Sequence, residues 1–243
     1  MLKEKDIVII SLASWSIDIG SNSKDIALEL AKKNRVLYVD RALDRITVFK
    51  KTFQLPIRKR KGLNITTSKS KIQLIQTNLW NLAPNIVLES INYLPPGKLY
   101  DYLNFLNHKR FALEIKSALL QLGFENVIIF NDNDFFRGYY LKKLLQPSYY
   151  IYYLRDFLTS KSYFKKHGIR LETSLIKKSD LVVTNSQYLA DYASQHNPNT
   201  FNIGQGVNLL AFNKPFFTIC ATVSASVPGT TVASVLANNQ QSF

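Results

Sequence analysis

The sequence predicts an α/β fold, a doubly wound and mostly parallel Rossmann-like sheet. Two patterns along the chain predict it, and the composition is compatible with it. An apolar run at 7–12, a helical pattern at 23–33 and an apolar run at 35–39 form a strand–helix–strand unit, the building block of a parallel sheet. Short apolar runs alternate with helical patterns again between residues 127 and 203. With 46% hydrophobic and 20% charged residues, the chain has the composition of a soluble globular protein.

The first predicted unit contains two strands and one helix. Ile7–Leu12 is short, apolar and β-branched, as a buried strand is. Ser23 can cap a helix that continues to residue 33, and Asn34 can end that helix in the left-handed conformation. Arg35–Val39 is then the second strand. We expect these two strands to be parallel and joined by a right-handed crossover.

The second half of the chain resumes the alternation after a stretch that contains three prolines. An imperfect apolar stripe at helical spacing predicts a long helix over Leu99–Gln121, and Gly123 is suited to end it. The remaining elements are short and alternate between strand and helix, ending with a strand. Their predicted ranges are 127–130, 135–145, 149–154, 170–178, 181–184, 186–194 and 200–203.

The end of the chain differs from the rest in composition. No charged residue follows Lys214, and Pro228-Gly229 lies in the middle of this stretch. A transmembrane helix, an ordinary terminal segment and a truncated or frame-shifted end are all compatible with the pattern. We expect residues 1–212 to form the Rossmann-like domain, and residues 213–243 to be the remnant of a second domain or a replacement for it.

The formal net charge of +14 is concentrated in one segment. No acidic residue occurs between Arg45 and Leu88, and the segment from Arg45 to Lys71 is predicted to be a loop or ribbon insertion. Its most basic part attracts polyanions. An anionic membrane surface is the favoured partner and nucleic acid is not expected, because no nucleic-acid motif is present; a solvated loop is the plain alternative. The proposed membrane or anion patch is Arg58, Lys59, Arg60 and Lys61.

Several classes of site are excluded by residue counts. The single cysteine, Cys220, cannot form an internal disulfide, and three scattered histidines show no metal-ligand spacing. We therefore expect no metal and no cofactor. The apolar run at 7–10 near the N-terminus is too short for a signal peptide and is predicted to be the first strand. We expect a cytoplasmic protein, peripheral at the inner face of the membrane if the basic patch binds lipid.

Candidate site residues are sought at the carboxyl ends of the strands, where open α/β sheets bind ligands. The loop after the first strand contains Ser14 and leads to Asn22 at the start of the helix. This loop has one glycine, so neither a dinucleotide fingerprint nor a phosphate-binding P-loop is present. An NAD-dependent oxidoreductase and an NTPase are disfavoured. The loop could still offer backbone N–H groups and hydroxyls to a sugar or a phosphate.

Two later strand ends carry the other candidates. Asn131 and Asp132 follow one strand, and Asp134 beside them is suited to cap the next helix. Arg155 and Asp156 follow the next strand, where Arg155 could hold a phosphate or pair with a carboxylate. Asn131, Asp132, Arg155 and Asp156 form a predicted ligand cleft together with Ser14 and Asn22, although capping and ion pairing are the plain alternatives.

Two motifs give the chain a resemblance to a known family. The first is Leu171-Glu172 followed by the Leu175–Leu189 segment, LIKKSDLVVTNSQYL, and the second is the Phe201–Phe212 segment, FNIGQGVNLLAF. Both resemble retaining glycosyltransferases of the family-four type, which have the GT-B architecture, and the match covers roughly residues 6–212. The second segment is similar to the hinge that leaves the first domain of these enzymes, which makes Gly204 and Gly206 the hinge candidates.

The resemblance implies an enzyme that transfers a sugar from a nucleotide-sugar donor to a hydroxyl of a glycan or glycolipid acceptor, with retention of configuration and without a metal. Residues 1–212 would be its acceptor-binding domain, and the predicted ligand cleft would be its acceptor cleft. In the family the donor is held mainly by the second domain, and nothing after Phe212 matches that domain. We expect no transfer by this chain alone. The alternative is a non-catalytic Rossmann-like module that binds polyanions or an anionic membrane.

Overall fold

The computed structural model describes residues 3–16, 21–54 and 71–204. The chain divides after Gln205, and all described residues belong to the first unit. The basic patch at 58–61, the hinge candidate Gly206 and the uncharged tail lie outside the described residues. Within them, no helix has the length and apolar character needed to cross a bilayer.

The predicted strand–helix–strand unit is confirmed. β1 is Asp6–Ser11, α1 is Asn22–Ala31 and β2 is Arg35–Val39, and the two strands pair in parallel. Ser23 does not cap α1; the N-cap is Ser21, and the buried hydroxyl of Ser23 bonds elsewhere. Asn34 is not left-handed either. Its Nδ2 donates to Leu30 O at 3.0 Å, so its side chain satisfies a terminal carbonyl of the helix instead.

The segment predicted as a loop or ribbon contains regular structure, so this prediction was wrong in part. β3 is Leu43–Asp44 and α2 is Arg45–Gln54, while β4, Lys71–Gln76, begins where the segment ends. Asp44 starts α2, because its Oδ1 accepts from the N–H of Thr47 at 2.8 Å. β5 is Leu79–Ala83 and pairs antiparallel with β4, and β6 is Val87–Leu88 and pairs in parallel with β3.

The second half keeps the predicted order with two differences in the helices. α3 is Lys98–Leu122 and ends at Gly123, which has the predicted left-handed conformation with φ of 62°. The helix expected at 135–145 is two short helices, separated at Tyr139 and Tyr140. The helix expected at 170–178 begins earlier, at Ser162. The elements are β7 Ile128–Asp132, α4 Phe135–Gly138, α5 Leu141–Leu145, β8 Tyr149–Leu154, α6 Ser162–Lys178, β9 Leu181–Thr184, α7 Gln187–Ser194 and β10 Thr200–Asn202.

Gly168 explains why α6 is longer than its sequence pattern predicts. A glycine inside a helical pattern disfavours a helix on propensity. Here a Cβ at position 168 would lie 2.9 Å from the ring of Phe135, so the glycine allows α6 to pack closely against α4. Tertiary packing therefore overrides the propensity of the segment.

Among the described residues, the main sheet has eight strands in the order β10-β9-β8-β7-β1-β2-β5-β4, and all of these are parallel except the edge strand β4. From β1 the chain moves outward through β2 to β5, and from β7 it moves the other way to β10. Helices cover both faces. Ile7 and Ile9 pack with α1, whereas Val8 and Ile10 belong to the larger core formed with α3 and α6. This is the doubly wound α/β fold that the sequence predicts.

Candidate functional site

The direction of strand order reverses between β1 and β7, and open α/β sheets bind ligands at such a switch point. The last residues of the two strands, Ser11 and Asp132, lie opposite each other in register. The Ser11 hydroxyl donates to Oδ2 of Asp132 at 3.1 Å. We call the region around this pair, with Asn22, Arg155 and Asp156, the switch-point crevice.

Asp132 is the buried acid of the crevice. Its side chain is fully buried, and Nε of Arg155 lies 2.8 Å from its Oδ1. This contact is ionic rather than an aligned hydrogen bond, since neither atom has a hydrogen-bond partner of good geometry within the described part of the chain. Burial raises the pKa of Asp132, while Arg155 and the hydroxyls of Ser11 and Ser23 oppose the rise.

Arg155 joins the buried acid to the surface. Its side chain is 22% exposed and also lies 3.7 Å from the carboxylate of Asp156, which is 57% exposed. Asn133, in the turn after β7, donates to Asp156 O at 3.0 Å. The predicted pairing of Arg155 with its neighbouring carboxylates is thus present. One side of the guanidinium is held by protein, and a partly open cation remains at the edge of the sheet.

Asn22 brings α1 to the same place. Its Nδ2 donates to the hydroxyl of Tyr153 at 3.0 Å, and Tyr153 lies beside Asp132 in the sheet register. Ser14 lies between two anchored residues of the loop after β1. Tyr38 donates to Ala13 O at 2.8 Å, and the N–H of Trp15 donates to Asp40 at 2.7 Å. Ser14 is therefore held on the β2 side of this edge.

Asn131 lies at the same edge of the sheet but on the other face. Its side chain is fully buried, donates to Tyr150 OH at 2.9 Å and accepts from the N–H of Asp134 at 3.1 Å. Asn131 therefore supports the turn after β7 from below. Asp134 caps α4 as predicted, because its Oδ1 accepts from the N–H of Arg137 at 2.9 Å. Of the acceptor-cleft candidates, Asn22, Asp132, Arg155 and Asp156 share the crevice.

A hydroxyl chain beneath the crevice was not predicted from sequence. Ser23 Oγ lies 2.9 Å from Ser11 Oγ, 2.8 Å from Ser21 Oγ and 3.1 Å from the hydroxyl of Tyr38. It connects β1, β2 and the first turn of α1 to Asp132. The available signal was that Ser11 ends an otherwise apolar strand. Ser23 looked like a cap in the sequence, which concealed its buried role.

The arrangement offers hydrogen-bonding groups of both kinds. Arg155 and the N-terminal end of α1 favour an anionic or hydroxyl-bearing ligand, and Asp156 can accept from hydroxyls. Asp132 and Asp134 point to different arginines and do not act as a pair. In the described part of the chain, no group of three His, Cys, Asp or Glu side chains is placed to hold a metal ion. Gly204, the hinge candidate that is described, has φ of +70°, a conformation that favours glycine.

Comparisons with known proteins extend this description. No protein-family model matches the chain, and no curated protein matches it. Its structure is similar to an α,α-trehalose-phosphate synthase (UDP-forming) from Burkholderia vietnamiensis, with 8% identity and a TM-score of 0.52 over 90% of this chain and 54% of that one. It is also similar to a trehalose-6-phosphate structure from E. coli bound with UDP-2-fluoro glucose. The identity there is 12% and the TM-score 0.51, over 91% of this chain and 54% of that one.

The chain therefore spans about half the length of these two solved structures. Because the identities are so low, the likeness concerns the fold. It confirms the doubly wound, mostly parallel, Rossmann-like α/β fold predicted from the sequence.

Proposed function

We propose that this chain is the acceptor-binding part of a retaining GT-B glycosyltransferase that moves a sugar from a nucleotide-sugar donor to a hydroxyl of a glycan or glycolipid. The switch-point crevice carries the proposal, because a buried acid, a partly open arginine and an exposed acid meet there at the ligand-binding edge of the sheet. The fold likeness to a trehalose-phosphate synthase and to a structure bound with UDP-2-fluoro glucose supports it. Retention rests on the sequence resemblance.

Each residue of the crevice has a proposed task. Asp156 accepts a hydrogen bond from an acceptor hydroxyl, and Asn22 contributes an amide close by. Arg155 binds an anionic or hydroxyl group through the part of its guanidinium that protein does not cover. Asp132 fixes the orientation of Arg155 from beneath. Such positioning lets a transferase hold the attacking hydroxyl close to the anomeric carbon of the donor.

A transfer assay tests the proposal. The full-length product of the gene is incubated with radiolabelled UDP-, GDP- and dTDP-sugars and with glycan and lipid extracts as acceptors. We expect label to enter one class of acceptor with one class of donor, and NMR of the product to show the anomeric configuration of the donor. An inverted anomer would remove retention from the proposal. If no donor and acceptor pair showed protein-dependent transfer, the proposal of a transferase would be refuted.

One further observation favours the alternative of a module that binds anionic surfaces. The net charge is +14, and α3 exposes large apolar side chains together with lysines along one stripe, at Leu99, Tyr102, Lys109, Leu113, Lys116 and Leu120. Each Lys or Arg close to an anionic bilayer contributes on the order of 1 kcal/mol. Sedimentation with anionic but not neutral vesicles, reversed by salt, is the expected result. Equal binding to both kinds of vesicle would contradict it.

A further inference from the structure

A second concave region lies near the switch-point crevice, on the opposite face of the sheet. Ser11 at the end of β1 faces the crevice, whereas the next residue, Leu12, lines this region. The cavity has a volume of about 380 Å³ and lies between α2, α3, the β3–β6 pair and the starts of α4 and α6. This size falls within the range of pockets that bind small molecules. We call it the α3 pocket.

One face of α3 supplies buried polar side chains to the pocket. Tyr100, Asn104 and His108 are four residues apart and therefore lie on one face of the helix. All three line the pocket and all are more than nine-tenths buried. The Tyr100 hydroxyl, Asn104 Nδ2 and His108 Nε2 have no hydrogen-bond partner among the described residues. Buried polar atoms without partners are unfavourable, so a ligand that met them would gain binding energy.

The hydrogen-bonding character of these atoms can be assigned. Burial lowers the pKa of His108 to about 4, so its ring is neutral at physiological pH. His108 Nδ1 lies 2.7 Å from Asn104 O, which can only accept, so the proton is on Nδ1 and Nε2 is an acceptor. Asn104 Nδ2 is a donor, and the Tyr100 hydroxyl can be either. Donors and acceptors side by side match a ligand with several hydroxyl groups.

Aromatic rings form the opposite wall. Phe136 and Phe164 are stacked with ring centroids 5.9 Å apart, and Tyr163 meets Phe164 edge to face at 5.2 Å. Tyr163 and Tyr93, both in the lining, are 56% and 68% exposed and mark the rim. A sugar ring presents flat C–H faces that pack against such rings while its hydroxyls point sideways. Aromatic walls beside polar groups therefore fit a sugar better than a purely apolar compound.

Three cationic side chains line the pocket, and one of them, Arg137, is already paired with Asp134. Arg41 and Lys50 line the pocket, and neither forms an ion pair with a described residue. The acids of the lining are already occupied, since Asp44 caps α2 and accepts from Ser90, and Glu89 pairs with Arg45. An anionic group on the ligand would find both cations available.

We propose that the α3 pocket binds a sugar that carries a phosphate group, with the sugar ring between α3 and the aromatic wall and the phosphate at Arg41 and Lys50. The α3 pocket is separate from the acceptor site proposed in the switch-point crevice, so binding there does not depend on the proposed function. If transfer fails and binding succeeds, the pocket stands as a sugar-phosphate site. If transfer succeeds and binding fails, the pocket assignment alone is lost.

Isothermal titration calorimetry on the full chain tests the proposal. The probes are glucose 1-phosphate, glucose 6-phosphate, glucose, inorganic phosphate and UMP. We expect one of the hexose phosphates to bind at least about tenfold more tightly than glucose or inorganic phosphate. Tightest binding by UMP would overturn the sugar assignment, and no detectable binding of either hexose phosphate would overturn the site.

Variants locate the binding. Arg41→Gln changes an exposed side chain and should weaken hexose phosphate binding about tenfold while leaving the melting temperature unchanged. Asn104→Leu should weaken the hexose phosphate and glucose together, and Tyr163→Ala provides a second, exposed test of the aromatic wall. Lys109→Gln is the matched control, since Lys109 lies on α3 outside the pocket. The proposal would be overturned if Arg41→Gln and Tyr163→Ala bound the hexose phosphate as tightly as the wild type. It would also be overturned if Lys109→Gln lost as much affinity as the pocket variants.

Discussion

Replacement of Glu172 by Gln should remove a pH dependence of stability that the fold builds in. Glu172 lies on α6 with its side chain fully buried, and Tyr152 OH donates to its Oε1 at 3.2 Å. Burial raises the pKa of Glu172 to about 7 from an ordinary value of 4.5, and the Tyr152 hydrogen bond lowers it only in part. The native state therefore holds a proton in a pH range where the unfolded chain has lost it.

The sign and size of the effect follow from linkage. Because the pKa is higher in the folded state, the free energy of unfolding falls as pH rises from about 4.5 to about 7. At about 1.4 kcal/mol per pKa unit, the loss is about 3 kcal/mol. Gln has the shape of the protonated acid and carries no charge at any pH. Glu172→Gln should thus gain about 3 kcal/mol relative to the wild type between pH 4 and pH 8.

Urea unfolding of both proteins at pH 4 and pH 8 measures the difference, because other titrating groups contribute equally to both and cancel. Glu29→Gln is the control, since Glu29 is an exposed partner of Lys32 and should change the pH profile little. If wild type and Glu172→Gln lose the same stability between the two pH values, the burial argument for Glu172 is refuted.

Three further predictions concern the turn after β7, the hinge and the basic patch. Gly138→Ala should destabilise the fold by about 1–3 kcal/mol in urea unfolding, because its Cβ would lie 1.9 Å from Asn131 Nδ2. The Cβ of Gly204→Ala would have no described atom within 4 Å, so this variant should cost only about 1 kcal/mol, for its positive φ. Asp134→Ala should cost about 1 kcal/mol in the same assay through loss of the α4 cap, and no loss would show that the cap contributes nothing. Replacing all four residues of the basic patch, Arg58, Lys59, Arg60 and Lys61, with Gln should abolish sedimentation with anionic vesicles. Unchanged sedimentation would show that another surface binds the membrane.

The parallel sheet was predictable because its signals are local. Buried β-branched runs such as Ile7–Ile10 and Leu181–Val183 identify strands on their own, and Gly123 and Ser186 end or begin helices through their own backbone and side chains. Gly168 shows where this reasoning stops. The absence of a side chain at position 168 lets α6 pack against the ring of Phe135, which is far away in the sequence. No local sequence pattern contains this contact.

The crevice was partly predictable for the same reason. Asp132 and Arg155 follow strands that were identified correctly, so the carboxyl-edge rule placed them together. Asn131 lies next to Asp132 within β7 but faces the opposite side, because adjacent residues of a strand alternate between faces. Ser23 and the polar face of α3 could not be found, since their partners lie on other elements. The sequence pattern does not determine which face of the sheet a residue at a strand end occupies, or which distant residues its side chain contacts.

The most direct test of the account compares two arginines in transfer assays with the protein from its intact gene. Arg155 pairs with buried Asp132 at the carboxyl edge, and Arg35 pairs with largely buried Asp6 at 2.6 Å at the amino edge. Both replacements by Gln leave a buried carboxylate without its ion pair, so both should lower stability. We predict that Arg155→Gln lowers kcat/KM about 30- to 100-fold while Arg35→Gln stays near wild type below its melting temperature. Equal losses in the two variants, or full activity in Arg155→Gln, would contradict the assignment of the switch-point crevice as the acceptor site.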